Sequence, residues 1–222
     1  MAYGQNAAWG FLPIRNLGSS TWNGQTTPYL IQSGYANNIF KGDLVYLGSD
    51  GFLHNLSDQQ VGTYPTFQSL GVFWGASFQT STATNPIDPA SPGRSYWPAG
   101  TVTLNSVPAQ AFVIDDPNII FNIQSDAGGV PFNAQGATAS ISYSYVTGST
   151  TNPTGNTITG NSLIVLNSST IATAANLNVR IRAFVPVDGN VPSPANVGVG
   201  IPYNNVEVLI QNHSLAQRAV GL

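Results

Sequence analysis

Residues 109–130 place a turn signal between two apolar runs. The runs are residues 112–114 and 119–123, and the four residues between them read Asp-Asp-Pro-Asn. Proline presets φ for the second position of a turn, and Asp and Asn side chains can close such a turn on nearby backbone groups. Residues after the turn alternate between two strand faces. The stretch therefore predicts a central β-hairpin of an all-β domain.

The same turn holds the only adjacent carboxylates of the chain, Asp115 and Asp116. Glycosidase chemistry needs two carboxylates that face each other across a cleft, and adjacent residues on an extended strand point to opposite faces. The pair also lacks the alternating oxygen ligands of a calcium loop. We interpret Asp115, Asp116 and Pro117 as a structural turn.

The near absence of lysine and glutamate limits the secondary structure further. The chain has one of each, Lys41 and Glu207, and only 7% of its residues are charged. Exposed faces of helices are rich in Glu, Lys, Arg and Gln, so we expect less than about a tenth of the residues in α-helix. The 23 glycines and 15 prolines are typical of short strands joined by turns. We predict roughly ten to twelve strands in a β-sandwich, jelly-roll or barrel-like domain.

Domain organisation follows from where the strand patterns begin and end. We predict an extended N-terminal arm at 1–27, a single β-rich domain at 28–210 and a C-terminal tail at 211–222. Long Pro/Gly-rich loops at 80–100 and 186–202 interrupt the domain, and loops of that length are usually functional or held by a partner. An Asp-Gly turn predicts a hairpin between residues 43–47 and 52–56.

The pattern of residues 70–79 predicts another strand. Leu70, Val72, Trp74, Ala76 and Phe78 would share one face, and the glycines of the other face would let a second backbone or a ring approach closely.

Charge and composition argue against several classes of partner. A net charge of −3 with six basic residues offers no surface that follows phosphates, so we expect no nucleic acid partner. The sequence contains no run of 18 apolar residues, so it predicts no membrane-spanning helix. The first residues lack the basic and apolar regions of an export signal. Zero cysteines fit synthesis in a reducing cytosol, although they fit an exposed protein equally well.

Aromatic and basic residues in irregular segments are candidates for a protein interface. Trp, Tyr and Arg dominate the binding energy of interfaces, and irregular segments leave them without an obvious core. The alternative is an arm that folds over its own core. The candidate residues for a capsid or subunit interface are Trp9, Phe11, Arg15, Trp22, Arg94, Tyr96, Trp97 and Arg218.

Catalytic signatures are missing from the sequence. A nucleophile needs an adjacent base, and the chain has no cysteine and only two histidines, His54 and His213. Neither lies in a recognisable motif, and no G-x-S-x-G is present. We interpret His54 as a half-buried strand residue. Arg180 and Arg182 share a strand face that either is solvated or grips a carboxylate. We expect no enzyme activity, no metal, no cofactor and no small-molecule substrate.

Several segments together resemble a known family. They are "GFLPIRNL" with "TTPYLI", "IFKGDLVYLGSDGFL", "LGVFWG", "AFVIDDPNIIFNIQSD" and "NNVEVLIQNHSLAQ", in this order along the chain. The set resembles the head decoration (cement) proteins of tailed bacteriophages. The resemblance implies a β-rich homo-dimer or homo-trimer that binds the major capsid protein on the outer surface of the virion. It also implies synthesis in the host bacterial cytoplasm and a role in strengthening the shell, and it brings no catalytic residues.

A second interpretation remains open, namely a carbohydrate-binding or adhesion module of a phage tail or surface protein. Trp74, Trp97 and the tyrosines could stack on sugar rings. Most of these aromatics lie in a strand pattern, however, and are not grouped on one loop.

Overall fold

The computed structural model describes residues 6–59, 68–80, 94–144, 152–172, 177–187 and 189–216. Within these ranges the chain forms strands and three short 3-10 helices but no α-helix, so the predicted all-β class is confirmed. The 3-10 helices are Leu56–Gln59, Leu104–Ser106 and Phe132–Ala134.

The strands follow one another along the described chain, and six of them are only two residues long. They are β1 (Leu12–Asn16), β2 (Thr27–Ile31), β3 (Ile39–Phe40), β4 (Leu44–Leu47), β5 (Leu53–Asn55), β6 (Gly71–Ser77), β7 (Tyr96–Trp97), β8 (Ala109–Ile114), β9 (Ile119–Gln124), β10 (Val130–Pro131), β11 (Thr138–Ser142), β12 (Gly155–Asn156), β13 (Asn161–Ser162), β14 (Val165–Ala172), β15 (Val179–Phe184), β16 (Gly200–Ile201) and β17 (Asn205–Ile210).

Two antiparallel sheets make up most of the fold. The larger has six strands in the order β1-β9-β17-β15-β11-β14, and the other has five in the order β2-β8-β6-β4-β5. The pairs β3-β7, β10-β16 and β12-β13 form small two-stranded sheets. The predicted hairpin across the Asp-Gly turn is confirmed as β4 and β5.

One apolar core lies between the two main sheets. The five-stranded sheet contributes Leu44, Val72 and Ile114, and the six-stranded sheet contributes Phe121 and Val208, all fully buried. Burial of apolar surface is the main favourable term in folding. The two sheets are therefore layers that share a core, as in a sandwich.

A second core covers the opposite face of the five-stranded sheet. Val45, Phe73 and Val113 belong to it, together with Ile39 of β3 and Trp97 of β7. The central part of the five-stranded sheet is thus buried on both faces. This explains why its central strands β6 and β8 consist of nearly continuous apolar and small residues.

The predicted central hairpin is wrong, because β8 and β9 belong to different sheets. β8 pairs with β2 and β6, whereas β9 pairs with β1 and β17. Ile114 before the turn and Ile119 after it both enter the shared core. The four residues between them carry the chain from one sheet to the other.

The segment predicted as an N-terminal arm contains a second crossover of the same kind. β1 pairs with β9 in the six-stranded sheet, and β2 pairs with β8 in the five-stranded sheet. The 17–26 loop between β1 and β2 therefore spans the same two sheets as the Asp115–Asn118 turn. Residues 12–16 are an edge strand of the fold and not an extended arm.

Phe11 enters the core where two backbones cross closely. Its ring meets Phe121 edge to face, with the ring centroids 5.8 Å apart. The Phe11 N–H donates to the carbonyl of Gly42 at 3.0 Å. A Cβ on Gly42 would lie 2.8 Å from the Trp9 carbonyl oxygen, and its φ of +96° favours glycine. Gly42 therefore lets the N-terminal segment reach the core.

The strand predicted at residues 70–79 forms, but its faces differ from the prediction. A β-bulge between Phe73 and Gly75 shifts the register. Val72 therefore faces the core between the sheets, whereas Ala76 and Phe78 face the second core. The predicted close approach of a backbone at a glycine is confirmed, since a Cβ on Gly75 would lie 2.9 Å from the Arg94 carbonyl oxygen.

The described part of the predicted C-terminal tail, residues 211–216, is attached to the domain. The Ser69 N–H donates to the Asn212 carbonyl at 2.8 Å, and the Ser214 N–H donates to the Ser69 carbonyl at 2.9 Å. His213 is buried between them.

Truncating Phe11 to alanine tests whether this residue stabilises the fold. We expect Phe11→Ala to lower the free energy of unfolding by about 3–5 kcal/mol, because it removes a buried ring and leaves a cavity. The exposed neighbour is the control, and Leu12→Ala is expected to cost less than about 1 kcal/mol. Urea unfolding of the two variants measures both values. Equal losses would show that Phe11 contributes no more to the core than a surface residue.

Candidate functional site

The Asp115–Asn118 crossover is closed as the sequence predicts. The Asp116 carboxylate accepts a hydrogen bond from the Asn118 N–H at 2.8 Å. The Ile119 N–H donates to the Asp116 carbonyl at 3.2 Å, and Pro117 occupies the second position of this turn. Asp116 and Pro117 therefore lie in a hydrogen-bonded turn, and this turn joins two sheets.

Asp115 has a different role, because it ties the crossover to β2. Its two carboxylate oxygens accept hydrogen bonds from the Thr27 and Tyr29 hydroxyls, each at 2.8 Å. Burial, reinforced by the hydrogen bond to Asp115, raises the pKa of Tyr29 to about 12. The adjacent carboxylates thus satisfy different groups and do not act as a pair.

A cavity of about 220 Å³ lies between the two crossovers. The first crossover lines it with Asn16 at the end of β1 and with loop residues up to Gln25. The second lines it with the Asp115–Asn118 turn and the strand ends on either side. The full lining is Asn16, Trp22, Asn23, Gln25, Ile114, Asp115, Asp116 and Ile119. Sequence reasoning missed this cavity, because residues about ninety positions apart form it.

Two of the predicted interface residues are buried inside the chain itself. Phe11 lies in the core between the sheets, and Trp97 lies on β7 in the second core. Both are fully inaccessible to solvent, which corrects their assignment to an exposed interface. Their aromatic surface is covered by this chain, as in the alternative of an arm that folds over its own core.

The other predicted interface residues differ in exposure, and their role in an interface stays a prediction. Arg94 is exposed, and Arg218 lies outside the described residues. Half-buried positions are occupied by Trp9, Arg15, Trp22 and Tyr96.

Arg15, Arg94 and Tyr96 already contact other parts of the fold. The Arg15 guanidinium pairs with Glu207 at 2.5 Å on β17. The Arg94 guanidinium lies 4.9 Å from the centre of the Phe78 ring. Tyr96 stacks on a ring of β3 with the centroids 5.1 Å apart. A partner that used these groups would have to share them with the contacts described here.

A tryptophan pair with a lysine lies beside the cavity. Trp22 meets Trp74 edge to face at 5.0 Å, and the Lys41 ammonium lies 3.8 Å from the centre of the Trp74 ring. Burial lowers the pKa of Lys41. This arrangement places Trp74 in contact with a cation, whereas the sequence suggested a sugar platform for it.

Asp43 is a buried carboxyl that sequence reasoning did not single out. One of its oxygens accepts from the Phe40 N–H and from the Asn55 side chain, each at 2.8 Å, and the Ser162 hydroxyl also bonds to the carboxyl. Burial raises the pKa of Asp43 to about 7. A polar residue beside the apolar run of β4 was the only sequence signal of this group.

His54 is half-buried on β5, which confirms its interpretation as a strand residue. Its Nε2 lies 3.1 Å from the Asp50 carboxylate, and its Nδ1 lies 3.6 Å from Asp58. Asp58 and Asp50 raise the pKa of His54. The sequence signal of this arrangement is an aspartate four residues before His54 and another four residues after it.

Arg180 and Arg182 are both exposed on β15, and neither forms an ion pair with a carboxylate in the described ranges. The same ranges bring together no group of three or more His, Asp or Glu side chains that could hold a metal ion. No helix within them is long and apolar enough to cross a membrane.

Comparisons with family models, with curated protein sequences and with solved structures found no match to this chain.

Substitutions at Asp116 and Asp115 test the roles of the two carboxylates. Asp116→Asn is expected to be nearly silent, because an amide oxygen can also accept the Asn118 N–H. Asp116→Ala should cost about 0.5–2 kcal/mol, by analogy with the loss of a cap. Asp115→Ala should cost more, because two hydroxyls lose a charged acceptor. Urea unfolding gives all three values, and equal damage from Asp116→Asn and Asp116→Ala would contradict the turn role.

Asp43 predicts a dependence of stability on pH. An aspartate carboxyl ordinarily has a pKa of 3.8, and burial in the folded protein raises the pKa of Asp43 to about 7. Between pH 3.8 and about pH 7 the Asp43 carboxyl therefore holds a proton in the folded state that it has lost in the unfolded state. Its contribution to stability is therefore complete below about pH 4 and disappears as the pH rises through 7.

The variant Asp43→Asn removes this titration and keeps an acceptor oxygen. Unfolding free energies of both proteins should be measured from pH 4 to 8. The difference, variant minus parent, should rise by up to about 1.4 kcal/mol per pH unit and level off above pH 7. A difference that does not change with pH would contradict a protonated Asp43.

Proposed function

We propose that this protein is a virion structural protein that decorates the outer surface of a tailed-phage capsid. In this proposal it binds the major capsid protein as a homo-dimer or homo-trimer, stabilises the shell through protein–protein contacts, and is made in the host bacterial cytoplasm. The resemblance of five segments to head decoration proteins supports the identity of the partner. A surface loop with anchored ends and exposed apolar side chains supports the docking role.

The observation that carries the proposal is the exposure of four valines in the 186–202 loop. The described part of this loop exposes Val187, Val191, Val197 and Val199, the last two at 70% and 62% of their surface. Its sequence contains one charged residue, Asp188. Apolar side chains concentrated on one loop are typical of a surface that another protein covers.

The loop is anchored by a fully buried asparagine. The Asn190 side chain donates to the carbonyls of Val185 and Asn205, each at 2.8 Å, and accepts from the Asn205 N–H at 2.6 Å. These three bonds join the beginning of the loop to β17. A surface that is already ordered loses little conformational entropy when it binds.

The far end of the loop is also attached to the fold. β16 pairs with β10, and the Gly198 N–H donates to the Asn133 side chain at 3.3 Å. A Cβ on Gly200 would lie 2.3 Å from the backbone of Gly129, so the two strands approach at a distance that only glycine allows. The exposed valines are thus carried by a segment with fixed ends.

Charged substitutions in the loop test the docking surface. The double variant Val197→Asp/Val199→Asp is expected to weaken binding to shells that lack the protein by at least about tenfold, because carboxylates would be desolvated at an apolar contact. The protein is mixed with such shells, and the bound fraction is measured by co-sedimentation over a range of concentrations. Analytical ultracentrifugation of the free protein separates dimer from trimer.

The control places one carboxylate at another exposed apolar position. Leu47 ends β4 and is 48% exposed, and Leu47→Asp should bind shells as the parent does. Circular dichroism and urea unfolding establish that each variant is folded. If the parent does not join the shells, the decoration role is wrong. If the double variant binds as tightly as the parent, the protein docks through another surface.

A further inference from the structure

We propose that the cavity between the two crossovers binds one neutral sugar ring, such as a terminal hexose of a polysaccharide. This inference is independent of docking on a capsid, because the 186–202 loop contributes no residue to the cavity. It also differs from a sugar site at Trp74 and Trp97, since one of these rings faces Lys41 and the other is buried.

The size of the cavity suits one small ring. Cavities for drug-sized ligands measure about 300–1,000 Å³, and this one measures about 220 Å³. It lies at the end of the sandwich, where loops approach from two sheets. A single monosaccharide unit would fill it and leave the rest of a glycan outside.

The lining residues keep several polar groups unbonded within the described structure. The side-chain nitrogen of Asn16 donates to the Ser20 hydroxyl, and the side-chain oxygen accepts no hydrogen bond. The side-chain oxygen of Asn23 accepts from the backbone N–H of Gln25, and the side-chain nitrogen of Asn23 donates no hydrogen bond. The side-chain amide of Gln25 makes no hydrogen bond. Only one of the two carboxylate oxygens of Asp116 accepts a hydrogen bond. Donors and acceptors therefore lie side by side around the cavity.

This mixture matches hydroxyl groups, because each hydroxyl both donates and accepts. An anion would meet the carboxylates of Asp115 and Asp116, and no lysine, arginine or histidine lines the cavity. A guanidinium or ammonium group only donates, so it could bond the free oxygens of Asn16, Gln25 and Asp116 but would leave the Asn23 side-chain N–H without a partner. Of the three kinds of ligand, the neutral polyol satisfies the most groups.

Trp22 supplies the apolar surface that the ring of a sugar needs. The indole is held edge to face against Trp74, so its orientation is fixed before a ligand arrives. A pyranose has an apolar C–H face that packs on an aromatic ring, while its hydroxyls point to the rim. Ile114 and Ile119 complete the apolar part of the lining.

Nuclear magnetic resonance of the ¹⁵N-labelled full chain tests the proposal. The probes are the methyl glycosides of glucose, galactose and mannose, and N-acetylglucosamine, each titrated to about 50 mM. At least one is expected to shift the Trp22 indole signal and the side-chain amides of Asn23 and Gln25 in a saturable way. A ligand of this size predicts a dissociation constant on the order of 1 mM.

Three further probes separate the kinds of ligand. Glucuronate has the same ring with a carboxylate and is expected to bind at least about tenfold more weakly than glucoside. Cyclohexanemethanol lacks the ring hydroxyls and should leave the signals unchanged. Methylguanidine represents a basic side chain of a protein partner. Saturable shifts from methylguanidine with none from the sugars would overturn the proposal and assign the cavity to an arginine.

Variants at the rim keep the test independent of folding. Gln25→Ala should weaken binding of the sugar by about fivefold or more, because Gln25 is exposed and its side chain makes no hydrogen bond within the described residues, so the change should leave the fold intact. Gln135→Ala, an equally exposed glutamine outside the cavity, should bind as the parent does. Equal binding by both variants, or no saturable shift with any of the four sugars, would show that the cavity is not a sugar site.

Discussion

Buried side-chain amides and carboxylates satisfy the loop backbone of this protein, and its architecture depends on them. The Asn204 side chain bonds both the N–H and the carbonyl of Val130. Asn190 does the same for Asn205, and Asp43 accepts the Phe40 N–H. An unpaired backbone group in a dry interior is costly. The described residues form no α-helix, so many backbone groups lie in connections where no helix or ladder pairs them. Asparagine and aspartate at these junctions therefore allow long loops to be packed and not only solvated.

The strands and their turns could be predicted from the sequence, but their partners could not. Alternation and a proline identified the two runs around Pro117, because both signals are local. Whether the strands on either side pair with each other depends on competition from β1, β2, β6 and β17, which no local pattern contains. The bulge between Phe73 and Gly75 is similar, since a glycine in a strand fits a close backbone approach as well as a bulge and does not show which faces are inverted. The failures thus concern contacts between residues distant in sequence.

The roles of the candidate site residues also were predictable where the contact is local in sequence and unpredictable where it is distant. The turn role of Asp116 was predictable because its acceptor bond joins residues two positions apart. Asp115 bonds Thr27 and Tyr29 across most of a hundred residues, and only the fold shows that it ties its crossover to β2. Trp22 and Arg94 drew attention as residue types, whereas the valines of the 186–202 loop did not, because exposure of valine is a property of the folded loop. Candidate interface residues are therefore better chosen by their exposure in the fold than by residue type.

The pairing of β1 with β9 has a consequence for synthesis. Arg15 lies opposite Ile120, so the first strand has no ladder partner until about a hundred further residues have been translated. At a translation rate of about 5–20 residues per second, the strand remains unpaired for roughly 5–20 s. An unpaired apolar strand can join a neighbouring nascent chain during that time, and proline interrupts such pairing. β1 and β2 contain Pro13 and Pro28, respectively, and both lie at sheet edges. A proline has no backbone N–H, so each of these positions offers one donor fewer to a neighbouring strand, in the nascent chain as in the finished sheet.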